Sequence, residues 1–264
     1  MNTPTRQERI ARNFSRSAAT YDRAAAAQGW AAQLLLAELA GQVASLPEGP
    51  ALEMGCGTGL LSAGLAGLLP ERECWFTDLS PVLLEVCRGR VGAAQHRHWQ
   101  VMDGERGPEQ QGYALIISGM ALHWFADWRG ALRRWVGALR PGGLLACSFQ
   151  EAGSFPEWRA QCDRLGLPCT ANPFPALEEM RELLGSAGRC WAVRQGWRHA
   201  SARDFFRSLK ATGAATPLKG EPLGAGVFRR LLGAWDQEYP AGVEVTVSCG
   251  LAVVRRGAGT LSIH

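Results

Sequence analysis

Between residues 51 and 149, short apolar segments alternate with segments whose apolar residues have helical spacing. The apolar segments are predicted strands, at 51–54, 73–77, 99–102, 113–118 and 144–149. Strands that alternate with helices pair in parallel, because each helix returns the chain to the same end of the sheet through a right-handed crossover. The sequence therefore predicts a doubly wound α/β fold with a mostly parallel sheet.

Further elements are predicted on both sides of this region. They comprise a helical N-terminal segment (1–46), an insertion (152–175) followed by a helix (176–187), and two late strands (190–197 and 243–254) that bring the sheet to seven. Helices at 202–211 and 227–238 interrupt the late strands, so residues 199–240 are predicted to form a lid. We expect one domain, 1–264.

Composition excludes several classes of protein. With 47% hydrophobic and 20% charged residues the chain resembles a globular protein, and a pI of about 8.7 is below that of a dedicated nucleic-acid binder. Neither a secretory signal nor a membrane span is predicted, so we expect a cytoplasmic location without nucleic acid or membrane as partner. The eight cysteines include no CxxC pair and are read as buried reduced thiols, not as a metal site.

A glycine-rich turn, Gly55-Cys56-Gly57-Thr58-Gly59, joins the first predicted strand to a helix. Such a turn lets the backbone approach a ligand and points amide hydrogens at it, although it can also be a simple tight connection. Glu53 precedes it, Asp78 ends the next strand and Asp103 follows the third, so three carboxylates reach one edge of the sheet. Together these features favour a nucleoside site.

The form E-x-G-x-G-x-G at residues 53–59 resembles motif I of class I S-adenosylmethionine (SAM)-dependent methyltransferases. The resemblance implies SAM as cofactor, with Glu53 near the methionine amine, Asp78 at the ribose and Asp103 at the adenine. The cofactor site that it implies comprises Tyr21, Glu53, Gly55, Cys56, Gly57, Asp78, Leu79, Met102, Asp103 and Ser118.

Four more segments are similar to the malonyl-acyl carrier protein O-methyltransferases of biotin synthesis. They are FSRSAATYD at 14–22, SGMALHW at 118–124, GSFPE at 153–157 and RSLKATGA at 207–214. The resemblance implies methylation of the free carboxylate of a malonyl thioester, with acyl carrier protein as partner. That carboxylate is ionised at neutral pH, so the enzyme needs no general base.

A buried substrate carboxylate calls for a cation. Arg207 and Lys210, one helical turn apart in the predicted lid, are the candidates, although a solvated basic helix face explains them equally well. With Tyr21, which could close over SAM or simply pack, they form the predicted catalytic group. The predicted substrate site comprises Arg207, Lys210, His123 and Trp124. For Trp124 packing is the alternative. His123 is not assigned as a base, because the resemblance implies a glutamine at this position in some relatives.

Basic residues exceed acids in the second half of the chain, including Arg203, Arg229 and Arg230. This excess predicts a docking surface for an acidic partner.

Three other functions share parts of the sequence pattern: a methyltransferase for another small metabolite, a binding module with a vestigial SAM fold, and a nicotinamide-dependent dehydrogenase. The three retained carboxylates argue against the second, and the glycine spacing argues against the third.

Overall fold

The structure is a computed structural model that describes residues 5–213 and 223–257, apart from the side chains of residues 17–20. Residues 214–222 of the predicted lid, and with them Ala214 of the RSLKATGA segment, therefore lie outside the described residues, as do residues 1–4. Within the described chain, no helix is both long and apolar enough to cross a membrane.

Seven strands form one sheet in the order β3-β2-β1-β4-β5-β7-β6. They are β1 (Ala51–Met54), β2 (Cys74–Asp78), β3 (Arg97–Val101), β4 (Tyr113–Gly119), β5 (Leu139–Gln150), β6 (Gly188–His199) and β7 (Val243–Arg255). The first five pair in parallel, and β7 runs antiparallel to both of its neighbours. The predicted fold class, a doubly wound and mostly parallel seven-stranded sheet, is confirmed.

Nine α-helices are described. They are α1 (Arg6–Ala24), α2 (Ala26–Ala40), α3 (Leu60–Leu68), α4 (Pro81–Val91), α5 (Trp128–Ala138), α6 (Pro156–Leu165), α7 (Leu177–Leu184), α8 (Ala202–Ala211) and α9 (Ala225–Glu238). The helix α6 was not predicted, because Pro156 was read as a break in the chain. Pro156 instead occupies the first turn of the helix, where its fixed φ and missing N–H cost nothing.

Side chains that alternate along the central strands supply an apolar layer on each face of the sheet. Ala51 packs with α2, α3 and α4, whereas Leu52 and Met54 pack with α5 and α7. Glu53 follows the same alternation and therefore points its carboxyl into the α2 and α3 side. A third apolar cluster joins α6, α8 and α9 to the part of β7 near Val243–Val247.

The order of the strands reverses between β1 and β4. In an open α/β sheet the crevice at the carboxyl ends of these two strands is where ligands bind. α1 and α8 pack against each other on this side, and a Cβ on Gly213, just after α8, would lie 3.2 Å from the ring of Phe14 in α1. Helix α1 thus lies over the crevice, and α8, from a distant part of the chain, packs against α1.

Candidate functional site

The glycine-rich turn after β1 has a backbone that other residues adopt only with strain. Gly55 has a φ of 71° and Gly57 a φ of 55°. A Cβ on Gly55 would lie 2.7 Å from the Cβ of Ala121, whereas a Cβ on Gly57 would meet nothing within 4 Å. Gly55 is therefore required by close packing, and Gly57 leaves open space beside the turn.

Asp78, at the end of β2, is held by backbone amides. One carboxylate oxygen accepts from the Gly57 N–H at 2.9 Å and the other from the Ser80 N–H at 2.8 Å. Burial raises the pKa of Asp78, and the backbone donors of Ser80, Gly57 and Leu79 oppose that rise. The carboxylate is thus fixed directly against the glycine turn, with its orientation set before any ligand binds.

Glu53 is buried, with a side chain that the described residues do not fully satisfy. Glu53 is only 1% exposed, and its Oε2 atom has no hydrogen-bond partner among the described residues. Burial raises the pKa of Glu53 well above its ordinary value. The residue lines a small cavity of about 350 Å³, together with Tyr21, Gln28 and Gly57. We call this the glutamate cavity, and its unpaired acid suits a positively charged group.

A larger cavity of about 850 Å³, which we call the edge cavity, lies along the carboxyl ends of β1 to β4. Of the residues in the predicted cofactor site, it is lined by Tyr21, Gly55, Gly57, Asp78, Leu79, Met102 and Asp103. Glu53 and Cys56 line the adjoining glutamate cavity. Ser118 lines neither, because its buried hydroxyl donates to the carbonyl oxygen of Met54 at 2.9 Å and ties β4 to β1.

Helix α1 covers the edge cavity and is tied to its rim. Arg6 donates to the carbonyl oxygen of Trp124 at 2.9 Å, and Ser15 shares a hydrogen bond of 2.7 Å with Ser80. Asp22 accepts from the hydroxyl of Thr58 at 2.8 Å. Arg6 also lines the cavity. The sequence analysis missed Arg6, since the helical pattern of α1 does not reveal where the helix packs.

Tyr21 stands where the edge and glutamate cavities meet, and it lines both. Burial raises the pKa of its phenol, and the nearby carboxylates of Asp78 and Asp22 raise it further. The phenol is therefore neutral at physiological pH, and it can donate a hydrogen bond but cannot act as a phenolate base.

A third cavity, of about 620 Å³, lies among α2, α8 and the ends of β6 and β7, and we call it the lid cavity. Its walls are mainly apolar, and no Asp, Glu, Lys or Arg occurs among the described residues that line it. Met120, after β4, lines both the lid cavity and the edge cavity, while Gln28 lines both the lid cavity and the glutamate cavity. Met120 has a φ of 54°, a strained value that persists only where the surroundings impose it.

The structure does not bring the predicted lid cations into any of these cavities. Arg207 is exposed and forms an ion pair of 2.9 Å with Asp204, and Lys210 is also exposed. On α8 it is Phe205, Ser208 and Leu209 that face the lid cavity, followed by Thr212 just after the helix. The two cations lie on the opposite face, because the apolar face of this amphipathic helix packs inward.

The other two predicted substrate residues also lie away from the lid cavity. Trp124 lines the edge cavity and packs edge-on against Phe14. His123 is buried against Phe174, and its Nδ1 accepts from the backbone N–H of Gln150 at 3.2 Å. Burial lowers the pKa of His123 to about 3, so the imidazole is neutral and unsuited to act as a base.

Comparison with known proteins places these features in context. A model of a methyltransferase domain matches residues 52–145. A malonyl-[acyl-carrier protein] O-methyltransferase of Magnetococcus marinus is 34% identical over 246 residues, covering 89% of this chain and 89% of the relative. The biotin biosynthesis bifunctional protein BioCD of Bordetella avium is also 34% identical, over 87% of this chain and 49% of that protein, so the chain spans about half of its length.

A solved structure shows the same fold at low sequence identity. It is phosphoethanolamine N-methyltransferase 2 of Haemonchus contortus in complex with S-adenosyl-L-methionine, with a TM-score of 0.58 and 15% identity. The match covers 97% of this chain and 61% of that one.

Proposed function

The chain belongs to the malonyl-[acyl-carrier protein] O-methyltransferase family, and on that premise we propose that it methylates the free carboxylate of a malonyl thioester carried by acyl carrier protein. The methyl donor is SAM, and the product is a malonyl methyl ester made early in biotin synthesis. We include a cytoplasmic location in this proposal, as expected for a carrier-protein substrate.

The residues around the edge and glutamate cavities fit SAM. The unpaired Oε2 of Glu53 suits the methionine amine, and Gly57 leaves room for the ligand against the turn. Asp78 suits the ribose hydroxyls, while Met102 and Asp103 suit the adenine at the far end of the cavity. When bound, SAM supplies an electrophilic methyl group on a positively charged sulfur.

This chain's own contribution is to bind, orient and exclude water. The acceptor carboxylate is itself the nucleophile, so no side chain must remove a proton. The neutral phenol of Tyr21 can donate to the reactants where the cavities meet, and α1, with α8 packed against it, shields the edge cavity from water. Alignment and desolvation then supply most of the rate enhancement.

The observation that carries the proposal is the contact between two unlike cavities at Met120. The edge cavity has carboxylates for a cationic cofactor, and the lid cavity is apolar, as suits an uncharged thioester arm. The exposed cations of α8 and α9, among them Arg203, Arg229 and Arg230, lie outside it. They supply the charge that an acidic carrier protein needs for docking.

Mass spectrometry of malonyl-acyl carrier protein after incubation with enzyme and SAM tests the proposal directly. We expect the mass gain of one methyl ester. Acetyl-acyl carrier protein, which lacks the free carboxylate, is the matched control and should not change. A protein that binds SAM but leaves malonyl-acyl carrier protein unmodified, while methylating a free small acid, would instead be a methyltransferase for another metabolite.

A further inference from the structure

We propose that the lid cavity holds the acceptor carboxylate with uncharged donors, namely Gln28 in the first turn of α2, Gln150 at the end of β5 and Trp197 of β6, and not with the cations of α8. The inference rests on the proposed function and adds to it a specific site for the carboxylate.

Three side chains that line the lid cavity have donors without acceptors. Gln150 is only 9% exposed, and its side-chain amide makes no hydrogen bond to a described residue. The indole nitrogen of Trp197 is buried and has no partner among the described residues. The side-chain amide of Gln28 likewise makes no hydrogen bond to them. A buried donor without an acceptor, as at the indole nitrogen of Trp197, is costly to a protein, and a ligand in the cavity would satisfy it together with the two amides.

The N-terminus of α2 adds to these donors. Ala26, Ala27 and Gln28, the first turn of the helix, all line the lid cavity. The N-cap residue is Ala25, and no side chain caps the turn. The first amides of a helix are left without intrahelical acceptors and carry the positive end of its dipole. An anion bound here could therefore accept from the free N–H groups of this turn as well as from the three side chains.

These donors also lie next to the cavities proposed for the cofactor, as methyl transfer requires. Gln28 lines both the lid and glutamate cavities, so a carboxylate near it lies close to the site proposed for the methionine end of the cofactor. Met120 forms the wall that the lid cavity shares with the edge cavity. Val245 and Val247 of β7, which also line the lid cavity, offer only apolar side chains to a carboxylate.

Uncharged donors also suit the chemistry better than a cation does. Methylation converts an anionic carboxylate into a neutral ester, so a buried lysine or arginine partner would be left without its counter-charge. Amide and indole N–H groups can donate to the carboxylate and then to the ester carbonyl. His199, the titratable residue of the cavity, is kept neutral because burial lowers its pKa, although Asp204 opposes that effect.

The test uses titration calorimetry of malonyl-pantetheine in the presence of S-adenosylhomocysteine, which fills the cofactor site without a methyl group to transfer. Gln28→Leu, Gln150→Leu and Trp197→Phe should each weaken binding of malonyl-pantetheine by about tenfold, as expected for loss of one hydrogen bond to a charged group. Binding of the methyl ester of the same compound should weaken by much less. Arg207→Met and Lys210→Met should keep the parental Kd.

Matched controls come from β6, the strand that carries Trp197. Gln195→Leu and Trp191→Phe alter a glutamine and a tryptophan of β6 that do not line the lid cavity, and they should bind like the parent. Thermal melts check that each variant folds. If a leucine variant unfolds, Gln28→Glu or Gln150→Glu keeps the size of the side chain and should weaken binding by charge repulsion.

Two results would overturn the inference. One is parental affinity in all three donor variants, and the other is a loss of affinity in Arg207→Met or Lys210→Met that equals or exceeds the loss in the donor variants. If either occurs while the parent methylates malonyl-acyl carrier protein, the proposed function survives and the carboxylate site is elsewhere. If the parent binds S-adenosylhomocysteine but neither binds malonyl-pantetheine nor methylates the carrier protein, the proposed function fails and the site falls with it.

Discussion

The edge cavity and the lid cavity lie side by side at Met120, yet they are built in opposite ways. The edge cavity takes its shape from the ends of parallel strands and from a carboxylate, Asp78, that backbone amides fix. The lid cavity takes its shape from helices and aromatic side chains, and no described residue that lines it carries a full charge at neutral pH. Strand ends thus fix charges for a cationic ligand, whereas packed helices provide an apolar space whose selectivity depends on a few donors.

The largest effect should come from the edge cavity. Asp78→Ala removes both proposed acceptors of the ribose hydroxyls, and each such hydrogen bond to a charged group contributes about 1.5–3 kcal/mol. We therefore expect SAM affinity to fall on the order of 100-fold. Calorimetry with SAM measures it, and Glu109→Ala, at an exposed acid, is the control. Gly57→Val should have a similar effect, because its side chain would enter the cavity. Unchanged affinity in both folded variants would place the cofactor elsewhere.

Glu53→Gln should separate binding from stability. Burial raises the pKa of Glu53 in the folded protein, so the folded state binds this proton more tightly than the unfolded state. The contribution of Glu53 to the free energy of unfolding is therefore greatest below about pH 4.5 and is lost as the pH rises through the raised pKa. The glutamine cannot ionise. The variant should therefore melt a few degrees higher than the parent at pH 8 and close to the parent at pH 4.5, whereas SAM binding should weaken by about tenfold.

Thermal melts without ligand, together with SAM titrations, measure both quantities. A variant that is less stable than the parent at pH 8 would show that the carboxylate is satisfied in the free protein. Equal SAM affinity would remove Glu53 from the proposed amine site.

Changing Arg203, Arg229 and Arg230 together to Gln should affect docking without changing either cavity, since all three are exposed. The KM for malonyl-acyl carrier protein should rise by several-fold, and its dependence on salt should flatten, because screened attraction is the proposed cause. Malonyl-pantetheine, which lacks the carrier protein, should be used as well as before. A parental salt profile would locate the docking surface on another face.

His123→Gln should have the smallest effect on catalysis. Because burial lowers the pKa of His123 to about 3, the neutral imidazole contributes stability above its ordinary pKa of 6.5, and this is lost as the pH falls toward 3. The variant should therefore lose less stability than the parent between pH 6.5 and 4, and its rate at pH 7 should stay within about twofold. A large loss of rate, with an inflection near pH 6.5 in the parent, would mean that His123 does act as a base.

Much of the fold could be predicted from local patterns. The strand at 51–54, the glycine turn and the helix that begins at Leu60 follow from apolar runs and glycine spacing, which act over a few residues. Asp78 and Asp103 could be placed at one edge because parallel strands end on the same side of a sheet. The start of α6 at Pro156 was missed, since the same proline signal marks both a break and a first turn.

The sequence by itself determined the sheet and the acids at its edge, because these depend on local periodicity and on the ends of strands. Only the tertiary structure decided which side chains line the lid cavity. Arg207 and Lys210 share a helix face in the sequence, but the direction of that face depends on how α8 packs on α1 and β7. The donors of the lid cavity carry no sequence motif, and Gln28 lies more than a hundred residues before Gln150 and Trp197. They line one cavity because α2, β5 and β6 meet there, and such a long-range contact leaves no periodic trace in the chain.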